Sequence, residues 1–69
     1  MDRIDAIGLA CPQPVLLVLE KLNTASAPFE VAVNTQAAVE NITRAVESKG
    51  KTVSDVRTEG ETSVLTISL

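Results

Sequence analysis

The segment Gly8–Leu19 constrains this chain more than any other, because it holds the only cysteine, two of the three prolines and the longest apolar run. Pro12 and Pro14 are tolerated in the first turn of a helix, where backbone N–H groups have no intrahelical acceptor, but not in a helix interior. The segment therefore predicts a helix that begins at Pro12, follows a strand and a turn, and has Cys11 as its N-cap residue.

An N-cap position gives the Cys11 thiol a specific chemistry. The positive end of the helix dipole stabilises a negative charge there by about 0.3–1 kcal/mol. A capping side chain accepts hydrogen bonds from the second or third helical residue, and here only Gln13 has an N–H to donate, because the other residue is Pro14. No basic residue is adjacent in sequence. We expect a thiol pKa below the free value of about 8.5, in the upper part of the ~3.5–7.5 range of activated cysteines.

A structural role for Cys11 is the alternative, since free cysteine is among the most buried residue types. The two prolines favour a presented side chain instead, because they fix the helix start at a turn between a strand and a helix, where functional side chains gather.

Composition excludes several classes of site. A chain of 69 residues has room for one small domain. One cysteine and no histidine rule out an internal disulfide and a Cys/His zinc site, and we expect neither a metal nor a cofactor. A net charge of −3 and a single aromatic residue, Phe29, do not suit direct nucleic-acid binding, which needs a basic surface.

Nothing in the sequence indicates export or membrane insertion. Residues Met1–Asp5 lack the basic-then-apolar layout of a signal peptide, and the apolar run Val15–Leu19 is far shorter than the ~20 residues of a membrane span. We therefore expect a cytoplasmic location and no membrane partner.

Hydrophobic periodicity predicts the order βαβαββ. The predicted strands are Asp2–Ile7, Phe29–Asn34, Lys51–Thr58 with a bulge near Ser54, and Thr62–Leu69, and the predicted helices are Pro12–Ala25 and Gln36–Lys49. Right-handed crossovers then give an α/β (α+β) two-layer sandwich, a four-stranded mixed sheet with both helices on one face. The predicted core consists of Leu19, Leu22, Val31, Val33, Ile42, Val46, Leu65 and Ile67.

Two leucines of the first helix fall outside its core stripe, which consists of Val15, Val18, Leu19, Leu22 and Ala25. At 100° per residue, Leu17 lies among the polar residues and Leu16 at the edge of the apolar stripe. Both follow Cys11 within two helical turns. We predict that they are exposed and belong to a surface on which partner proteins dock, although single exposed leucines are common on proteins without partners.

The segment Gly8-Leu9-Ala10-Cys11-Pro12-Gln13-Pro14, placed after Asp5 and before an apolar helix, resembles the signature of the TusA/SirA/YedF family of small sulfur-carrier proteins. The resemblance covers nearly the whole chain, because the βαβαββ order also fits the two-layer fold of that family. The stretch Asn34 to Arg44 is more similar to the YedF branch, which is linked to selenium metabolism, than to TusA itself. TusA has a glutamate where this chain has Gln13.

The resemblance implies a function. Cys11 would carry a persulfide and pass sulfur, or selenium, from a cysteine desulfurase or another sulfane-sulfur donor to an acceptor protein, while Gly8, Pro12, Gln13 and Pro14 shape the site. Such a protein is a sulfurtransferase-like carrier rather than a true turnover enzyme, and we expect a monomer. YedF-type proteins tend to have a second, DsrE-like domain, so residues 1–69 are either a complete single domain or the N-terminal domain of a longer protein.

A second function stays open at this stage: a non-catalytic protein-interaction module of a selenium-metabolism protein, in which the Cys-Pro-Gln-Pro turn only starts a helix. An accessible, acidic thiol favours the carrier, and a buried thiol favours the module. A hydrolase is excluded by the lack of a general base, a metal site or a phosphate-binding loop.

Overall fold

The computed structural model describes residues 2–9 and 13–69, and it has the predicted βαβαββ order. The elements are β1 (Asp2–Asp5), α1 (Gln13–Thr24), β2 (Phe29–Val33), α2 (Gln36–Ser48), β3 (Thr52–Glu59) and β4 (Thr62–Ser68). The four strands form one sheet in the order β1-β2-β4-β3. β1 is parallel to β2, and β4 is antiparallel to both β2 and β3, which confirms the mixed sheet.

Both helices cover the same face of the sheet. Alternate residues of β2, such as Phe29 and Val31, point to one face, where they lie in register with Ile67 and Leu65 of β4. Val18 of α1 and Ile42 of α2 belong to the same buried cluster as these strand residues. The two-layer arrangement is therefore confirmed.

The core prediction was wrong for two residues of α1. Leu19 and Leu22 are only half-buried, whereas Val18 is fully buried. Leu22 still packs against the core, but Leu19 lies to one side, because a helix that points Val18 inward turns the next side chain by about 100°. The other six predicted core residues are buried.

The second face of the sheet carries a chain of charged side chains across its strands. Glu30 of β2 contacts Arg3 of β1 at 3.1 Å and Arg57 of β3 at 3.6 Å, and Arg57 also contacts Glu59 at 2.8 Å. Val64 of β4 pairs with Arg57 in the sheet and is fully buried, although the sequence did not predict it to be in the core. Its register partner is suited to such a position, because arginine stems can cover apolar surface while their guanidinium groups stay in water.

Local signals set the ends of α2 and the irregularity of β3. Thr35 is the N-cap residue, because its hydroxyl accepts a hydrogen bond from the Ala38 amide at 3.1 Å. Gly50 has a φ of +77°, the left-handed conformation that ends helices. The predicted bulge is present as a register shift between Val53 and Asp55. No helix in the described ranges is long and apolar enough to span a membrane.

Candidate functional site

The chain leaves the sheet in a tight turn directly after β1. The amide of the buried Ala6 donates a hydrogen bond to the Ala32 carbonyl at 2.9 Å, and the Leu9 amide donates one to the Ala6 carbonyl at 3.4 Å. The carboxylate of Asp5 accepts a hydrogen bond from the Ile7 amide at 3.1 Å. The strand prediction therefore extended two residues too far, because this side-chain bond favours a turn over a ladder.

Gly8 lies at the tip of this turn. Its φ of +82° is a conformation that other residues adopt only with strain. Its amide donates to the side-chain oxygen Oδ1 of Asn34, 3.4 Å away, at the junction between β2 and α2. A glycine at this position therefore lets the chain make a contact between two loops.

Cys11 and Pro12 lie outside the described residues, so the predicted N-cap role of Cys11 and the helix start at Pro12 stay predictions. The structure describes the chain on both sides of them. Gln13 is the first residue of α1 and is exposed, while Pro14 follows it and is buried. Leu9 and Gln13 are thus the described residues nearest to Cys11 in sequence.

Leu9, Gln13, Leu16 and Leu17 surround a shallow concavity of about 250 Å³, which we name the leucine patch. Leu16 is 56% exposed, Leu9 39% and Leu17 37%, which confirms the exposure predicted for the two helix residues. Ile7, two residues before Leu9, is 44% exposed. Large exposed apolar side chains that gather in one place mark interaction surfaces more often than scattered ones do.

The segment of the chain that contains the leucine patch has no charged residues. No charged residue occurs from Ala6 to Leu19. The ion pairs lie elsewhere: on the opposite sheet face, and between Lys21 and Asp2 at 3.0 Å, where the lysine holds the pKa of the Asp2 carboxyl below its usual 3.8. The side chains that line the patch are therefore uncharged, and the first charged residues along α1 are Glu20 and Lys21, three and four positions after Leu17.

Two other concavities differ in character from the leucine patch. One of about 290 Å³ is lined by Asp2, Lys21 and the turn after α1, at the end of that helix remote from Gln13. The second, a narrow groove of about 40 Å³, separates Leu9, Pro14 and Val15 from the first turns of α2. Within residues 2–9 and 13–69, no group of acidic side chains is arranged to hold a metal ion.

Comparison with known proteins identifies the family. The sequence model of the family described as "Sulfurtransferase TusA" matches residues 2–68. This chain belongs to the TusA family. The domain is therefore a sulfurtransferase or sulfur-carrier domain of that family, whose members exchange sulfur with donors and acceptors.

A solved structure supports the same assignment. The SirA-like protein from Desulfitobacterium hafniense superposes on this TusA-family domain with a TM-score of 0.85 at 25% sequence identity, over 99% of this chain and 96% of that one. No curated protein sequence matches the chain.

Sequence reasoning missed two residues that this TusA-family domain brings to the site. Leu9 was read only as part of the motif, yet it forms one wall of the leucine patch. Asn34 was predicted as the last residue of the second strand, with no role in the site, yet its side chain reaches the loop before Cys11. The position of Leu9, an apolar residue in a turn beside Gly8, was a signal that it is exposed near the site. The role of Asn34 depends on a contact between segments distant in sequence, and no local pattern reveals it.

Proposed function

We propose that this domain carries a persulfide on Cys11 and relays its outer sulfur from a cysteine desulfurase, or another sulfane-sulfur donor, to an acceptor protein. The observation that carries the proposal is the position of the single cysteine in sequence. It lies between Leu9 and Gln13, two residues of the leucine patch, in a domain of the TusA family.

The transfer is an exchange between thiolates and persulfides. The Cys11 thiolate attacks the outer sulfur of the donor's persulfide, a new sulfur–sulfur bond forms, and the donor's cysteine leaves as a thiolate. A thiolate of the acceptor then attacks the outer sulfur on Cys11, which leaves in turn as a thiolate. Each step breaks one sulfur–sulfur bond and forms another, so it needs no external oxidant or reductant.

The leucine patch supports the proposal because sulfur relay needs two proteins to bring their cysteines into contact and then separate. A shallow surface lined mainly by leucines suits short-lived docking, since small interfaces are typical of transient complexes. We propose that donor and acceptor both dock there, with Gly8, Pro12, Gln13 and Pro14 shaping the site.

Intact mass spectrometry tests the carrier role. The protein is incubated with a cysteine desulfurase and cysteine, and we expect a gain equal to one sulfur atom that a thiol reductant removes. Cys11→Ser should gain nothing. A wild-type protein that never gains sulfur, from this donor or from inorganic polysulfide, contradicts the proposal and favours an interaction module. Supplying the desulfurase with free selenocysteine in place of free cysteine tests whether Cys11 carries selenium as well.

A charge placed on the leucine patch tests the docking role. Leu16→Glu should slow sulfur uptake from the desulfurase, because it puts a carboxylate in the apolar contact, while the melting temperature changes by only a few degrees. Leu16 is a better probe than Leu17, since it is the more exposed of the two.

Leu69→Glu is the matched control for this experiment. Leu69 is 44% exposed and follows β4, whose last residues pair near the start of β2, whereas the site lies beyond the end of β2. Equal transfer rates for Leu16→Glu and wild type would contradict docking at the patch.

A further inference from the structure

The loop before Cys11 lies beside the loop that joins β2 to α2. β1 and β2 are parallel and in register, with Asp5 opposite Ala32, so both strands end at the same edge of the sheet. The Ala6 amide continues this pairing with its bond to the Ala32 carbonyl. The two following loops therefore leave the sheet side by side.

Asn34 bridges these loops. The Ile7 and Leu9 amides bond within their own turn, to Asp5 and Ala6, whereas the Gly8 amide donates to Asn34 Oδ1, 26 positions further along the chain. The side chain of Asn34 is thus a hydrogen-bond acceptor from outside the turn.

Leu9 faces the same corner across a narrow groove. It lines the narrow groove together with Pro14 and Val15 on one side and Thr35 and Ala38 at the start of α2 on the other. The turn is therefore joined to the β2–α2 corner by the hydrogen bond at Gly8, and Leu9 lies across the groove from the start of α2.

We propose that Asn34 is a positioning residue for sulfur transfer: it holds the turn that leads to Cys11 in one conformation when a partner protein docks. This inference rests on the proposed function. Transfer between two proteins requires the attacking sulfur and both sulfurs of the persulfide to be nearly in line, and such alignment is sensitive to small displacements. A small, freely diffusing reagent also reacts in line, but it can rotate to meet the thiolate from any open side, so its rate depends less on the conformation of the turn.

The test compares Asn34→Ala, which removes the acceptor, with Asn34→Asp, which keeps an oxygen at the same place. Asn34→Ala should speed hydrogen exchange of the Gly8 amide and lower the rate of sulfur transfer with saturating donor by about two- to tenfold, the factor that corresponds to one net hydrogen bond. Asn34→Asp should restore both. The rate of Cys11 alkylation by iodoacetamide should stay within about twofold in all variants.

Gln36→Ala is the control, because Gln36 is exposed in the same corner and its side chain bonds to Glu40 rather than to the turn. It should leave Gly8 exchange and sulfur transfer unchanged. Unchanged Gly8 exchange and transfer in Asn34→Ala would overturn the inference, and so would losses in that variant that Asn34→Asp does not restore.

The two proposals fail in different ways. If the proposed function is wrong, the wild-type protein itself does not gain sulfur from any donor. If only the role of Asn34 is wrong, the wild-type protein carries sulfur and Asn34→Ala transfers it equally fast.

Discussion

Ile42→Ala is the substitution that most directly tests how the helices pack on the sheet. Ile42 lies in the middle of α2, is fully buried, and belongs to the cluster that also contains Val18 of α1 and Leu65 of β4. Removing most of its side chain opens a cavity that three elements enclose, and a close-packed core of this size has little freedom to collapse into it.

The expected cost follows from this burial. Truncation of a fully buried isoleucine to alanine lowers the free energy of unfolding by about 2–5 kcal/mol. A domain of this size has a total stability of roughly 3–10 kcal/mol. Since about 1 kcal/mol shifts the melting temperature of so small a domain by about 4–8 °C, a loss of about 3 kcal/mol corresponds to about 12–24 °C.

Urea unfolding followed by circular dichroism measures the effect, with Leu16→Ala as the matched control. Leu16 is also a helical residue with the same number of carbon atoms, but it is 56% exposed, so its truncation should change stability by no more than about 0.5 kcal/mol. A loss below about 1 kcal/mol for Ile42→Ala, or equal losses for the two variants, would refute the packing of α2 on the sheet.

Three further outcomes are expected. Thr35→Ala removes the oxygen that accepts the Ala38 amide and should lower the free energy of unfolding by about 1 kcal/mol in urea titrations, whereas Thr35→Ser should retain it. Arg57 holds the pKa of Glu59 below its usual 4.5, so this pair stabilises the fold above that pH and the stabilisation is lost on acidification. The urea midpoint should therefore fall less between pH 6 and pH 3 in Glu59→Gln than in wild type, and equal falls would argue against the pair. The alkylation rate of Cys11 by iodoacetamide should rise with a midpoint below about pH 8.5, and a thiol that resists alkylation or titrates higher would be a structural one.

Much of the fold could be predicted from the sequence, because its signals are local. The prolines at positions 12 and 14, the alternation around Val31 and the helical spacing around Ile42 each depend on a few neighbouring residues. These patterns were sufficient for the element order, for the shared face of the two helices and for the exposure of Leu16. The motif around Cys11 was sufficient for the family, which the match over residues 2–68 confirms.

Other features depend on which segments meet across the sheet. Val64 lies on the face without helices and is buried, although a strand position on an open face is normally exposed. Its burial requires β3 to lie next to β4, so that Arg57 can pair with it. Likewise, only the rotation of α1 in its packed position determined that Val18 rather than Leu19 points into the core.

The site shows the same division. The sequence by itself determined the neutral, apolar character of residues 6–19 and the single thiol among them, because composition is a property of the chain alone. Only the tertiary structure decided that Leu9 joins Leu16 and Leu17 in one patch and that Asn34 bonds to Gly8. The contact between Asn34 and Gly8 forms because the parallel pairing of β1 with β2 brings two loops that are distant in sequence to one edge of the sheet.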